Sequence, residues 1–244
     1  MTEHFHPNGS GPVVRVDTLC KSFGMLQAVD GISFELRVGE FLTIFGPNGA
    51  GKTTLIKILS GLTRPTSGSA MVAGYDVMEG DIRMRREIGV ISHASCLYAD
   101  LTALENLLFY AKIYGLEHPQ DKANRALEEV GLKPRMHDRV RTFSRGMQQR
   151  LAISRATLHD PSVLFLDEPF TGLDLQASNV LKEHLHSLHT EKRTIIMTTH
   201  DVSCGLEMCD RVAVQAKGRF VFMKQKEEVL KETFESVYFG AINN

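Results

Sequence analysis

Nowhere in its 244 residues does the chain run to the ~20 consecutive apolar residues that a bilayer-spanning helix needs. The opening Met1-Thr-Glu-His-Phe-His6 has no basic segment leading into an apolar one, so no secretory signal is expected and a soluble, cytoplasmic chain is. Cysteine is scarce. Cys20, Cys96, Cys204 and Cys209 stand apart with no C-x-x-C pair, which excludes a disulfide scaffold, fits a reducing compartment and leaves them as small buried apolar residues. Charge of one sign is also lacking: at a net charge of -1 there is no basic excess to attract a polyanion, and nucleic acid is not an expected partner. Internal repeats and low-complexity tracts are absent, and no C-terminal regulatory domain, which would need ~100 further residues, is expected. His4 and His6 could be imagined as a metal pair, but they run into Pro7-Asn8-Gly9-Ser10-Gly11-Pro12, and residues 1–12 read as a flexible tail.

What is present is an ordinary globular composition, 43% hydrophobic and 23% charged, in a chain long enough for one large domain or one domain with an inserted subdomain. Short apolar segments at Val13–Val16, Ile32–Leu36 and Phe41–Phe45 predict strands, and Lys52–Leu59 a helix: the opening of an α/β unit. The middle changes character. Leu104, Leu107, Leu108 and Ala111 fall at i, i+3, i+4, i+7, Thr102 to Glu105 supplies a capping box, and Ala123–Val130 is again helical, so about residues 94–158 form a mostly helical insertion. Val163–Leu166 and Thr194–Thr198 return to wholly apolar or β-branched runs suited to central parallel strands, with Leu181, Leu185 and Leu188 marking the helix between them. A last amphipathic helix is predicted over 223–244, with Leu230, Phe234, Val237 and Tyr238 on one face of Lys226–Tyr238.

Gly46-Pro47-Asn48-Gly49-Ala50-Gly51-Lys52-Thr53 is a G-x-x-x-x-G-K-[ST] sequence, placed between a predicted strand and a predicted helix as that motif requires. Glycines let successive N–H groups and the following helix N-terminus, through Thr54, face a phosphate chain. Lys52 would then meet the β- and γ-phosphates and Thr53 a Mg²⁺ ion. Asp167 and Glu168 follow an apolar strand directly, where strand ends of open α/β sheets meet ligands. Asp167 fits a Mg²⁺-side acid and Glu168 the group that polarises attacking water, although paired acids there can also be helix-capping charges. Ser144-Arg145-Gly146 opens another helix; a second phosphate site and a plain serine N-cap explain it equally.

Taken in order, the phosphate loop, Ser-x-Gly, Leu-Asp-Glu-Pro, Gly172-Leu173-Asp174 and Thr198-Thr199-His200 resemble the ATP-binding subunits of ABC transporters across about residues 13–222. The resemblance implies an α/β P-loop NTPase (RecA-like) core with an ABC-type helical subdomain and an N-terminal antiparallel β segment. It implies an ATPase using ATP and Mg²⁺, with Gly46–Thr53 as Walker A, Val163–Asp167 as Walker B, Glu168 as catalytic glutamate, and Ser144 and Gly146 in the signature. Asp174 falls in the D-loop and His200 is the switch histidine. Phe23, in Lys-Ser-Phe-Gly, matches the aromatic that stacks on adenine, with a core aromatic as the alternative. Three positions depart from the family: His93 stands where a Mg²⁺-touching glutamine is usual, Arg145 replaces a signature glycine and Met147 the following glutamine. Imidazole is a poor Mg²⁺ ligand, because hard cations prefer oxygen, whereas arginine can still donate toward phosphate.

Ser92-His93 and Leu101-Thr-Ala-Leu-Glu-Asn-Leu107 are most similar to the haem-exporter ATPases of cytochrome c maturation, a likeness shared in large part by drug and polysaccharide export subunits. The family implies a second ATPase subunit, expected as a homodimer, and a membrane permease from another chain, holding this one at the cytoplasmic face of the inner membrane. The groove around His93–Tyr114 is the expected docking surface, with subdomain core as the other use of its apolar stripe. A soluble ABC ATPase is disfavoured by the lack of a second ATPase half or a coiled-coil insertion. A P-loop kinase or GTPase is disfavoured by the signature and by the absence of Asn-Lys-x-Asp. His184, His186 and His189 are expected on solvated faces.

Overall fold

The computed structural model describes residues 11–92, 95–229 and 231–243, so that His4, His6, His93 and Leu230 lie outside the described residues. In chain order the elements are β1 (Val14–Phe23), β2 (Leu26–Leu36), β3 (Phe41–Phe45), α1 (Lys52–Leu59), β4 (Ser67–Val72), β5 (Tyr75–Asp76), α2 (Ile82–Glu87), β6 (Ile88–Ile91), α3 (Ala103–Tyr114), α4 (Pro119–Glu129) and α5 (Arg145–Thr157). They continue with β7 (Val163–Asp167), α6 (Leu175–Thr190), β8 (Thr194–Thr199), α7 (Val202–Met208), β9 (Arg211–Ala216), β10 (Arg219–Gln225) and α8 (Lys231–Asn243).

Two sheets result. The order β2-β1-β4-β5 is antiparallel, and β10-β9-β3-β8-β7-β6 is parallel except for its β10 edge. Every residue of β3, β7 and β8 is buried, as strands covered on both faces must be. In β1, Val14 and Val16 point inward and Arg15 and Asp17 outward, the alternation of a sheet with one wet face.

Three apolar clusters hold these layers. One joins the antiparallel sheet and α1 to a face of the parallel sheet, through residues such as Leu36, Leu55, Ile58 and Phe165. A second fills the other face, with Leu181 and Leu185 of α6 and Phe234 and Tyr238 of α8 among its members. The third lies among α3, α4 and α5, built on Leu104, Leu107, Ala111, Leu127 and Leu151. Helix α5 serves two of them, giving Ile153 and Ala156 to the second and Leu151 to the third. The stripe of α3 is therefore core, and the exposed side of this helix carries Phe109 and Ile113 beside an exposed Tyr98. The capping box closes as expected, with Glu105 N donating to Thr102 Oγ1 at 3.1 Å and Thr102 N to Glu105 Oε2 at 2.8 Å.

Several expectations need correction. The C-terminal helix begins at Lys231, because 219–225 is drawn onto the sheet as edge strand β10 and Lys226–Glu228 forms a 3₁₀ turn. Of the histidines placed on solvated faces, only His186 is exposed. His189 Nε2 sits 2.9 Å from the Gly39 carbonyl and 3.0 Å from Asp210 Oδ2, with its ring edge-on to Phe41, and His184 is half-buried, which pushes its pKa down. Of the cysteines, Cys204 and Cys209 are buried, with their thiols pushed up to about 11 by burial, while Cys96 is exposed. Among the described residues no helix is long and apolar enough to cross a membrane.

Candidate functional site

Strand β3 delivers the chain to Gly46 at the carboxyl end of the parallel sheet, and the loop 46–51 turns there into α1. Gly51 is the residue at which side-chain absence matters most. Its φ is +102°, and a Cβ there would overlap the Ala28 carbonyl oxygen of β2. A cavity of about 280 Å³ opens over this loop, lined by Pro47–Thr54, Phe23, Leu26, Ala28 and Glu168. Phe23 is 52% exposed at its rim, with the Lys21 ammonium 4.9 Å over its ring, which removes the core reading of this aromatic.

Lys52 is buried in the loop. Its Nζ donates to the Gly46 carbonyl at 2.6 Å and the Pro47 carbonyl at 3.1 Å, and lies 3.5 Å from Glu168 Oε1. Burial lowers its pKa, outweighing the attraction of Glu168 and Asp167. From the end of β7, Asp167 Oδ1 accepts the Thr53 hydroxyl at 3.0 Å and the Thr198 hydroxyl at 2.7 Å. Its Oδ2 is buried with no protein hydrogen bond. A hydroxyl and an orphaned carboxylate oxygen side by side are the donor set that a hard divalent cation takes, so these residues fit Mg²⁺.

Glu168 holds a left-handed backbone, φ +53°, rare outside glycine and costing about 1–3 kcal/mol. The strained turn is fastened by its N–H, which donates to Thr198 O at 3.0 Å. Its carboxylate is brought between Lys52 and two further partners on Oε2: His200 Nδ1 at 2.8 Å and Thr171 Oγ1 at 3.4 Å.

The signature residues lie elsewhere. Ser144 caps α5 by accepting the Met147 N–H at 3.3 Å, and Asp174 caps α6 by accepting the Ala177 N–H at 2.7 Å. Gly146 lets α5 approach α6, since a Cβ there would stand 2.7 Å from the Ala177 methyl, and Arg145 lays its guanidinium over Gly172. None of Ser144, Arg145, Gly146 or Asp174 lines the cavity over the phosphate loop. Arg145 instead faces Asp167 and Glu168 across a second, polar cavity of about 440 Å³, together with Ser92, Ser95, Gln148, Gln149 and Thr171. Sequence reasoning missed Leu26, Ala28, Thr171 and Thr198. Only Thr198 left a trace in the pattern, as the first residue of Thr-Thr-His.

Comparison with known proteins agrees with this geometry. Residues 29–171 match the family model described as ABC transporter. The linearmycin resistance ATP-binding protein of Bacillus subtilis is 37% identical over 89% of this chain and 70% of its own length. The Nod factor export ATP-binding protein I of Ralstonia nicotianae is 36% identical over 91% of this chain and 70% of its own. Among solved structures, an ATP-binding subunit of an ABC transporter superposes with a TM-score of 0.84 at 27% identity, over 94% of this chain and 99% of that one. A dimeric ATP-binding cassette in a post-hydrolysis state with ADP and Pi superposes with a TM-score of 0.80 at 25% identity, over 87% and 98%. The chain belongs to the ABC transporter family and is an ATP-binding subunit with ATPase activity.

Proposed function

We propose that this ABC ATPase is the motor of a membrane exporter. Two copies clamp two ATP molecules, each held between Gly46–Thr53 of one copy and Ser144–Gly146 of the other, and hydrolysis reopens the clamp. One observation carries this reading: the cavity over the phosphate loop contains Phe23, Lys52 and Glu168 but no signature residue, so a second copy is needed to complete it. Phe23 stacks on the adenine, the N–H groups from Asn48 to Thr54 surround the phosphates, and Lys52 leaves its two carbonyls for them. Thr53 and Asp167 would hold Mg²⁺, which would supply neutralisation of phosphate charge. Glu168 orients water and takes its proton, while His200 fixes the Glu168 carboxylate.

Residues 13–222 form the ATPase domain in this reading, with a helical subdomain at 94–158. The exposure of Tyr98, Phe109 and Ile113 supports docking of a permease from another chain at this face, which would hold the motor at the cytoplasmic face of the inner membrane. The names of the relatives, linearmycin resistance and Nod factor export, favour drug-type or comparable small-molecule cargo. Haem export is the second reading, supported by Ser92-His93 and the 101–107 segment.

The test is co-expression with a candidate permease, taken from whichever adjacent reading frame encodes a membrane protein. The expected result is that the ATPase sediments with membranes only when that protein is present, and that cells gain drug resistance with the wild type but not with Glu168→Gln. Membrane association and resistance that ignore the neighbour would contradict an exporter motor. A gain of periplasmic haem without drug resistance would select the second cargo.

A further inference from the structure

Strand β9 is apolar where it crosses the sheet, with Val212, Ala213 and Val214 fully buried, and then places Gln215 at zero exposure. Neither Gln215 Nε2 nor Oε1 has a protein hydrogen-bond partner. Glutamine is rarely found fully buried, and an unpaired buried amide is disfavoured enough to require a reason. Its position supplies one. Side chains alternate along β9, so Gln215 shares the face of Ala213, which belongs to the cluster beneath α1 and the phosphate loop. A Cβ on Gly51 would stand 2.8 Å from Gln215 Nε2 and would overlap the Ala28 carbonyl oxygen, so amide and carbonyl flank the same point above Gly51.

The segment after Gln215 is already tied to the same neighbours. Gly218 N donates to the Ala50 carbonyl at 3.1 Å, and Gly218 O accepts Asp30 N at 2.8 Å. The phosphate loop is thus held between β2 and the β9–β10 turn, with the glutamine amide as the unused polar group in that seam.

We propose that Gln215 is a positioning residue of the phosphate loop. When the loop seats on a nucleoside triphosphate, Gln215 Nε2 donates to the Ala28 carbonyl past Gly51, locking β2, the loop and β9 together. Pairing an amide that is otherwise unpaired makes the loaded loop more favourable by the amount its isolation costs, so part of the affinity for ATP resides in a residue that never touches it. This rests on the loop being the ATP site and goes beyond it by assigning a residue outside the motif.

The variants are Gln215→Met, which keeps length without hydrogen bonding, and Gln215→Leu as a second apolar filling. Binding of the non-hydrolysable β,γ-imido analogue of ATP with Mg²⁺ is measured by calorimetry, beside kcat, KM and the thermal midpoint with and without that analogue. The expected result is about a tenfold weaker Kd and higher KM, kcat within about twofold of wild type, and a smaller midpoint rise on adding the analogue. The nucleotide-free midpoint is expected to stay level or rise. A Kd unchanged within twofold in Gln215→Met overturns the proposal, as does an equal fall of the midpoint with and without nucleotide, which is the signature of a buried structural or water-bridged amide. Failure of the wild type to bind the analogue would instead overturn the ATP site itself.

Discussion

His200 Nδ1 lies 2.8 Å from Glu168 Oε2, joining residues at the ends of two adjacent parallel strands, while Lys52 faces the other carboxylate oxygen at 3.5 Å. The carboxylate is therefore held from both sides in a nearly buried position at 9% exposure, and the imidazole that orients it stays 58% exposed. An acid so fixed is kept from rotating away, and the φ of +53° is the local cost of that placement.

Glu168→Gln is expected to retain ATP binding while kcat falls at least ~100-fold, the usual scale for removing a general base. With hydrolysis blocked, an ATP-dependent dimer is expected by size-exclusion chromatography. Turnover at the wild-type rate would remove Glu168 from the role assigned to it.

Asp167→Asn is expected to weaken activation by Mg²⁺ at least about tenfold, since a hard cation loses the charged oxygen it prefers. Stability without nucleotide is expected to stay level or rise, because the Thr53 and Thr198 hydroxyls retain an acceptor and a buried charge is removed. The check is a Mg²⁺ titration of ATPase rate at saturating ATP, with chelation by EDTA as the zero point. Superimposable titrations for the two proteins would place the metal elsewhere.

A pH effect on stability is expected from His159. Its ring stacks on Tyr114 at 3.9 Å, its Nε2 faces the Ile88 carbonyl at 3.0 Å, and burial drives its pKa down to about 4. The folded chain thus keeps this ring neutral where the unfolded chain protonates it. The contribution is fully present above pH ~6.5 and is lost as pH falls toward ~4, by about 3 kcal/mol at most. Urea midpoints across that range are expected to fall more steeply for the wild type than for His159→Gln, which lowers stability near neutral pH through the lost stack. Parallel profiles would show that the ring titrates alike in the folded and unfolded chain.

The motifs were legible because each is local: the turn at 46–51, the apolar strand before Asp167 and the capping box at Thr102 all declare themselves within a few residues. What stayed hidden depends on distant packing. Residues 223–244 read as one amphipathic helix, yet the chain as far as Gln225 gains more by pairing with β9, a partner that no local pattern names. His189 looked like a solvated residue because its acceptors, Gly39 and Asp210, come from other elements. The α3 stripe was ambiguous for the same reason, since only α4 and α5 decide that it faces inward. Gln215 gave no signal at all; its significance appears when Gly51 and Ala28 are seen around it.

The shared site is tested most directly by mixing two inactive proteins, Lys52→Ala and Ser144→Arg. In the heterodimer one site carries both defects and the other carries neither. Random pairing is expected to restore about a quarter of wild-type ATPase activity, one intact site in half of the dimers. A mixture that remains as inactive as its components, or a strict wild-type monomer that hydrolyses ATP at the full rate, would contradict a site built from two copies.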